Sequence, residues 1–313
     1  MQNRKKISIM TPCYNEEESI LKCIESVHEY MTLFLIDFDY EHLIIDNAST
    51  DRTVDIVKNK ITDDDRIKLI VNSRNFGPHM SPYYGILQCK GDAVIPVMAD
   101  LQTPIELIKE LVLKWENGAD KVIALRVSYE KKKFIDRLRN LYYLLMVKIS
   151  HVEHNKGFTG FGLYDRKVVD ALNTYSDPVP YFRTLISEVG FKVDYIEYEQ
   201  KNRKKGLSKN NLYTLLDYAL LGITSTNVPM RLVIIVSAGF SMLFLFIILL
   251  YGVAKIFYWD SFDAGIVPIL MLVLFIGSMQ MFIFGLLGEY ITTLLQNVKN
   301  KPLVIEKERY GKF

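Results

Sequence analysis

Asp100 is a carboxylate placed where metal-assisted chemistry on a phosphate would need one. It follows a short apolar run at residues 93–98, which is long enough for one buried strand. Pro104 comes next, at the first turn of a helix predicted over residues 105–115. Ligands of open α/β sheets bind beyond the carboxyl ends of the strands, and hard divalent cations take oxygen ligands that they share with phosphates. Capping of the following helix is the simpler alternative for Asp100.

Polar turns also follow the three strands predicted before this one. The strands are predicted at residues 7–10, 42–45 and 67–71. Helices are predicted after the turns, at residues 16–30, 53–59 and 79–89. Strand, polar turn and helix thus repeat with the turn always on the same side, which is typical of βαβ units with right-handed crossovers. We therefore predict an α/β fold around a Rossmann-like, mostly parallel sheet.

Beyond residue 120 the pattern changes to amphipathic helices beside basic runs. Strands are predicted at residues 121–125, 159–164 and 192–198, with a helix at 179–189. An amphipathic helix at about 134–150 and a second one at 211–230 each follow a cluster of lysines and arginines. Such helices can lie in a membrane interface, where each Lys or Arg gains about 1 kcal/mol from anionic lipid. An ordinary core-facing helix is the alternative.

Two long stretches without charge occupy the C-terminal third, at residues 232–254 and 264–288. Roughly 20 apolar residues span the hydrocarbon core, so we predict two transmembrane helices. The connection between them carries one lysine and two aspartates, whereas the flanks are more basic. The positive-inside rule therefore places both termini in the cytoplasm. A buried helical hairpin of a water-soluble protein is the alternative.

Composition limits the class of protein further. The 313 residues are enough for one sizeable domain plus an appendage, and the net charge of +2 gives no reason to predict a nucleic-acid partner. Cys13, Cys23 and Cys89 lack metal-ligand spacing and fit a reduced, cytosolic domain. The predicted segments are a cytoplasmic catalytic domain (1–210), a juxtamembrane amphipathic helix (211–230), two transmembrane helices (231–290) and a basic cytoplasmic tail (291–313).

Together, the turns resemble the motifs of the family 2 glycosyltransferases, which have the GT-A fold, and of their branch that uses polyprenyl phosphates. Each motif alone is weak, but five in this order with two terminal membrane helices are specific. The similar segments are the first-strand nucleotide motif at 11–16, the Asp-Asp-Gly-Ser-x-Asp-x-Thr motif at 46–53, the Arg-Asn-x-Gly turn at 74–77, the metal-binding Asp-x-Asp-Leu-Gln-x-Pro segment at 99–104 and the Arg-x-x-Gly-x-Ser-Lys loop at 203–209.

The resemblance implies roles for individual residues. Asp100 and Gln102 would hold Mg²⁺ or Mn²⁺. Catalytic roles are expected for Asp100, Arg126, Arg203 and Lys209, and contacts with the acceptor phosphate for Arg126, Arg203, Ser208 and Lys209. The residues expected around the nucleotide are Pro12, Tyr14, Asn15, Glu16, Asp46, Asn75, Gly77, Ala99, Asp100 and Gln102, with Asp46 on the side of the base.

Several positions depart from the family pattern. Met98 stands where some members have the first aspartate of the metal motif, and Asn47 replaces the second aspartate of the Asp-Asp turn. Gly160 stands where a strand often begins with aspartate, so the role of that aspartate is vacant or falls to Asp165. A polyprenyl phosphate needs no general base, because a second pKa of about 6 leaves its oxygen largely anionic at neutral pH.

The resemblance implies an inverting glycosyltransferase of the cytoplasmic membrane, multi-pass, that moves a hexose onto a polyprenyl phosphate at the cytoplasmic leaflet. The expected donor is UDP-glucose, and GDP-mannose or an aminosugar nucleotide is the alternative. A catalytically degenerate membrane scaffold for a lipid flippase is the non-enzymatic alternative, which Met98 and Gly160 favour. Gly285 and Gly288 would permit close helix contact in a homo-oligomer.

Overall fold

The fold is described from a computed structural model of the chain. The described residues are 4–127, 157–175, 180–199 and 302–313, together with single helical residues between 242 and 298. The chain divides into two compact units, Met1–Thr214 with Asn300–Phe313, and Leu215–Lys299. The predicted helices at 134–150 and 211–230 lie outside the described residues, as does the basic loop that contains Arg203, Ser208 and Lys209.

The first unit alternates strands and helices, as the repeated polar turns predict. The strands are β1 (Lys6–Cys13), β2 (Asp39–Asp46), β3 (Ile67–Asn72), β4 (Ala93–Pro96), β5 (Lys121–Val127), β6 (Phe158–Asp165), β7 (Val193–Glu199) and β8 (Glu306–Tyr310). The helices are α1 (Ile20–Phe34), α2 (Thr53–Asp63), α3 (Gly77–Gln88), α4 (Leu107–Glu116), α5 (Arg166–Asn173) and α6 (Phe182–Glu188). The sequence patterns did not predict α5 or β8.

The strands form one eight-stranded sheet in the order β7-β5-β6-β4-β1-β2-β3-β8. Parallel pairing joins β4, β1, β2 and β3, and also β5 and β7. However, β6 runs antiparallel between β4 and β5, and β8 runs antiparallel beside β3. The sheet is therefore mixed rather than mostly parallel, because two strands that arrive from distant parts of the chain enter it in the opposite direction.

These directions bring the ends of β1, β2, β3, β4, β5 and β7 to one side of the sheet, here called the carboxyl edge. The registers place Cys13 beside Asp46, and Met10 beside Pro96. Both β6 and β8 begin at this edge, since each is antiparallel to its neighbours. The chain therefore leaves the sheet after residue 199 and enters it again at residue 306 on the same edge.

Helices cover both faces of the sheet because alternate strand residues point to opposite sides. Ile7 and Ile9 of β1 pack in a cluster with residues of α1 and α4, whereas Met10 packs in a second cluster with residues of α3, α5 and α6. A third cluster places α1 and α2 over Ile44 and Leu69. The core thus has the three layers of a doubly wound fold. All three cysteines are free and buried.

A charged network closes the opposite, amino edge around Glu41 of β2, which is only 2% exposed. Its carboxylate accepts hydrogen bonds from Lys6 Nζ (2.7 Å), Lys68 Nζ (2.8 Å), Ser8 Oγ (2.7 Å) and the Lys90 N–H (2.7 Å). Burial alone would raise the pKa of Glu41, but these hydrogen bonds outweigh it and lower the pKa from 4.5 to about 2. The carboxylate therefore stabilises the folded state most when it is ionised.

We predict that Glu41→Gln lowers the free energy of unfolding by about 3 kcal/mol near neutral pH, because Lys68 is left buried without its counter-charge. The pKa of Glu41 is lower in the folded state, so its contribution is complete above pH 4.5 and is lost as the pH falls towards about 2. Urea unfolding across this range should show the gap between wild type and variant narrowing in acid.

Glu25→Gln is the matched control. Glu25 also pairs with a lysine, Lys60, but its side chain is 57% exposed, so the loss should stay below about 1 kcal/mol. Equal losses for the two variants would contradict a special role for the network around Glu41.

Candidate active site

The turns at the carboxyl edge contain unusual backbone conformations. Asn15, Ala48 and Leu101 have positive φ angles of 55°, 61° and 54°. They account for three of the four non-glycine residues with positive φ in the described ranges, the other being Phe191. Each of the three lies in a different turn, after β1, β2 and β4. Left-handed non-glycine residues cost free energy and cluster at functional sites, so these turns mark the candidate site.

The turns after β1 and β2 hold each other through crossed hydrogen bonds. The Asn15 N–H donates to Ser49 Oγ (2.9 Å), and the Thr50 N–H donates back to Asn15 Oδ1 (2.8 Å). The Glu16 N–H donates to Thr53 Oγ1 (2.9 Å) in the same way. The polar side chains of each turn thus satisfy backbone groups of the other.

Ser49 and Thr53 belong to the motif at 46–53 but were not predicted to be site residues. The sequence contains a signal for this role, because short polar side chains that follow a strand commonly bond backbone amides. Beside them, Tyr14 of the predicted nucleotide site has an exposed ring, and Pro12 is half-buried.

Asp46, the last residue of β2, stabilises the turn after this strand through buried hydrogen bonds. Its side chain is 0% exposed, and its carboxylate accepts hydrogen bonds from the Ser49 N–H (2.9 Å), the Ser49 hydroxyl and the Cys13 thiol. Burial raises the pKa of Asp46, while the bonds from Ser49 and Cys13 lower it by less. No part of Asp46 reaches the surface in this structure. Its predicted contact with the base therefore has no support from the structure and stays a prediction.

Asp100 lies in the turn after β4, which ends at Pro96 rather than at the predicted residue 98. Ala99 is 3% exposed and anchors the turn, whereas Asp100 is half-buried and accepts a hydrogen bond from the Gln102 N–H (3.1 Å). Helix α4 begins only at Leu107, with Glu106 at its N-cap. The capping alternative for Asp100 is therefore wrong.

Glu16 and Asp100 come from different turns but act on the same buried group. The pKa of the Cys23 thiol in α1 is raised to about 12, first by burial and further by the negative charges of Asp100 and Glu16, against a hydrogen bond with Thr11 that lowers it. Cys23 Sγ also lies 4.0 Å from the Met98 carbonyl oxygen. The carboxylates of the turns after β1 and β4 thus both affect the pKa of Cys23.

The donor set fits a divalent cation that is held jointly with a substrate. The described ranges contain no group of three or more His, Cys, Asp or Glu side chains that could hold a metal. One carboxylate, Asp100, with the amide of Gln102 nearby, is instead the kind of partial site that Mg²⁺ occupies together with nucleotide phosphates and water.

Arg126 lies near the end of β5 and thus at the carboxyl edge, where its N–H donates to the Gly157 carbonyl (3.0 Å) at the start of β6. Gly160, in β6, has a φ of 97°, a conformation that an aspartate would adopt only with strain. The positions of Arg203, Ser208 and Lys209 stay predictions, since they lie outside the described residues.

Asp165 lies at the opposite edge of the sheet, because β6 is antiparallel to β4 and ends there. Its carboxylate caps α5 by accepting from the Lys167 N–H (3.0 Å), and it also accepts from Trp115 Nε1 (2.7 Å). The hypothesis that Asp165 takes the place of an active-site aspartate is therefore wrong. The residue has a structural role that local sequence alone did not reveal.

A doubly wound α/β sheet with polar turns at its carboxyl edge is the arrangement in which open α/β proteins bind their ligands. A family model described as Glycosyl transferase family 2 matches residues 8–174. The chain belongs to this family and is a glycosyltransferase.

Two relatives are similar over nearly their whole length. A prophage-derived bactoprenol glucosyl transferase of Shigella flexneri is 33% identical, covering 97% of this chain and 98% of the relative. An uncharacterised glycosyltransferase of Bacillus subtilis is 31% identical, covering 99% and 96%. Among solved structures, mannosyl-3-phosphoglycerate synthase from Rubrobacter xylanophilus has a TM-score of 0.47 at 15% identity, covering 71% of this chain and 73% of that one.

We predict that Ala48→Gly stabilises the protein by about 0.5–1 kcal/mol. The Cβ of Ala48 disfavours its φ of 61° by roughly 1–2 kcal/mol, and glycine removes this strain at a smaller entropic cost. Ala171→Gly, the same change inside α5, should destabilise by about 1 kcal/mol. Thermal unfolding measures both, and a loss of stability in Ala48→Gly would contradict the prediction.

Proposed function

We propose that this protein transfers glucose, with inversion, from UDP-glucose to a polyprenyl phosphate at a membrane surface. The observation that carries the proposal is the carboxyl edge of the sheet, where the turns after β1 and β2 interlock and the turns after β3 and β4 bring Asp100 and the other predicted nucleotide residues to the same edge. The bactoprenol glucosyl transferase name of the Shigella relative supports the sugar and the lipid.

In the proposed mechanism, different residues of the chain bind the nucleotide and orient the acceptor. The turns after β1 and β3 bind the nucleotide, and Asp100 and Gln102 are the residues that would hold a divalent cation. The cation, when bound, supplies the positive charge that stabilises the departing nucleoside diphosphate. Arg126, with Arg203 and Lys209, orients the acceptor phosphate in line with the anomeric carbon and offsets its charge.

One displacement then completes the transfer. An anionic phosphate oxygen of the acceptor forms the new bond to the anomeric carbon, and the bond from that carbon to the diphosphate oxygen breaks. The electron pair leaves with the nucleoside diphosphate, so the configuration inverts. No side chain has to remove a proton, because the phosphate is already ionised. This explains why a glycine at position 160 is compatible with turnover.

Exposed apolar residues of the second unit support the proposal of a lipid acceptor. Its described residues are helical, and many are large, apolar and exposed at helical spacing: Met242, Leu243, Phe246, Leu250, Val253, Phe257, Ile269, Val273, Ile276, Phe284, Leu287, Ile291, Leu294 and Val298. An extended apolar surface is unfavourable in water and marks a site of interaction, which we propose to be a bilayer. Among the described helices, none is long and apolar enough to cross a membrane. The predicted spans at 232–254 and 264–288 stay predictions.

The sheet itself constrains any membrane topology. Strands β7 and β8 belong to the same sheet, although residues 200–305 separate them in the chain. A path that leaves from one strand and returns to the other must cross a bilayer an even number of times. Two spans satisfy this constraint, and the basic flanks of the predicted spans are the reason to propose the cytoplasmic side for both ends of the chain.

A catalytically inactive scaffold for a lipid flippase is the second candidate function. The observation that favours it is Met98, which is 49% exposed two residues before Asp100 and offers no carboxylate. An assay with a panel of donors separates the candidates. Membranes that contain the protein and undecaprenyl phosphate are incubated with radiolabelled UDP-glucose, GDP-mannose or UDP-N-acetylglucosamine, and label in extracted lipid is counted.

We expect transfer from UDP-glucose. Transfer only from another nucleotide sugar would overturn the donor, and transfer from none, despite nucleotide binding, would favour the scaffold.

We predict that Asp100→Asn lowers the rate of transfer into lipid by about 100-fold or more, because the carboxylate that would hold the cation is neutralised. Binding of Mn²⁺ in the presence of UDP, followed by electron paramagnetic resonance, should weaken in parallel. Asp37→Asn, the same change at an exposed position, should affect neither. Retained transfer in Asp100→Asn would refute the metal role.

A further inference from the structure

We propose that Arg183, the second residue of α6, is a further phosphate-binding residue at the carboxyl edge and contacts a phosphate group of one of the two reactants. The inference rests on the proposed function, because it requires a nucleotide sugar and a lipid phosphate to meet at this edge. Arg183 lies outside every motif that the sequence analysis identified.

Helix α6 runs from the carboxyl edge of the sheet towards the amino edge. After α6 the chain reaches Lys192, whose carbonyl accepts a hydrogen bond from the Asp120 N–H (2.9 Å), just before β5 begins at the amino edge. The other end of α6 lies near Gly160 of β6, a strand that begins at the carboxyl edge. A Cβ atom added to Gly160 would be 3.7 Å from Phe182 Cδ1. The first turn of α6, with Arg183, therefore lies towards the carboxyl edge.

Aromatic contacts fix this first turn of α6 against α3 and β6. The ring of Tyr181 lies edge-on to the ring of His79, and their centres are 5.6 Å apart. The ring of Phe182 packs edge-on against Tyr164 of β6 at 5.2 Å. Because His79 belongs to the first turn of α3, directly after the predicted nucleotide turn, these contacts place Arg183 between the start of α3 and the start of β6.

The charge of Arg183 is not compensated within the part of the chain that the structure describes. Arg166 and Lys167, near the amino edge, pair with Asp170 and Asp120, whereas the exposed Arg183 forms no ion pair with any described carboxylate.

The neighbouring histidine adds no second charge. Burial first, and then the positive charge of Arg183, lower the pKa of His79 from 6.5 to about 4. His79 is therefore neutral near pH 7, and the guanidinium of Arg183 is the cation that the structure shows acting on this region. An unbalanced cation beside a ligand-binding edge is suited to an anion.

A guanidinium matches the chemistry of the proposed reaction. Its planar fork can donate two parallel hydrogen bonds to a phosphate, which a single ammonium group cannot do. The displacement brings an anionic acceptor phosphate towards a diphosphate on which further charge develops, so each fixed cation near them stabilises the transition state. The donor diphosphate and the acceptor phosphate share this chemistry, and the experiment distinguishes them.

The test compares Arg183→Ala and Arg183→Lys with the wild type in the full chain. Arg4→Ala is the matched control, because Arg4 is also exposed but precedes β1 at the amino edge. Undecaprenyl phosphate is supplied in vesicles of phosphatidylcholine, which has no net charge, and in a second set that also contains anionic phosphatidylglycerol. Transfer of glucose into lipid gives the KM of each reactant, and calorimetry gives the affinity for UDP.

We expect Arg183→Ala to raise the KM of the reactant that Arg183 contacts by about tenfold or more in phosphatidylcholine vesicles, because a charge-assisted hydrogen bond is lost. Arg183→Lys should recover part of the loss, since lysine keeps the charge without the fork. A higher KM for undecaprenyl phosphate with unchanged UDP affinity would assign the acceptor phosphate, and weaker UDP binding would assign the diphosphate. Arg4→Ala should behave as the wild type.

Unchanged KM values and UDP affinity in Arg183→Ala would overturn the inference. A defect that appears only with phosphatidylglycerol would also overturn it, because Arg183 would then bind the membrane surface and not a reactant. In both cases the wild type still transfers glucose, so the proposed function stands. If the wild type neither binds UDP nor transfers sugar, the proposed function fails and the role of Arg183 fails with it.

Discussion

Satisfying the backbone N–H groups at the carboxyl edge is the constraint on which the site depends. Where β1, β2 and β3 end, their ladders stop and the following amides need other partners. Side chains of neighbouring turns supply them: Ser49 and Thr53 bond the turn after β1, Asn15 bonds the turn after β2, and Asn47 bonds the turn after β3. The residues that resemble a nucleotide motif are therefore also those that keep the turns in place.

Carboxylates lie at both edges of the sheet, in different surroundings. At the amino edge, Glu41 is enclosed by lysines and its charge is fully compensated, which suits a structural role. At the carboxyl edge, Asp100 is half-buried in the turn after β4, and its negative charge, like that of Glu16 in the turn after β1, raises the pKa of the Cys23 thiol. A half-buried carboxylate at the end of a parallel sheet is suited to a cation that arrives with a phosphate.

The parts predicted from sequence are those that local pattern determines. The alternation of apolar runs and polar turns correctly predicted β1 to β5 and α1 to α4, because burial and turn chemistry act over a few residues. Helix α5 and strand β8 were missed: α5 is short, and Glu306–Tyr310 is a charged edge strand without an apolar run. The capping of α5 by Asp165 was also missed, because a single aspartate in a sequence fits several roles.

The amino-acid sequence by itself determined the class of fold, the family and the turns in which the site residues lie, because each is encoded in short contiguous motifs. Only the tertiary structure decided that β6 and β8 enter the sheet in the opposite direction, that Asp165 lies far from Asp100, and that Asn47 holds a turn some 30 residues further along the chain. Strand pairing and side-chain partners join residues that are distant in sequence, and such long-range contacts leave no local pattern to recognise.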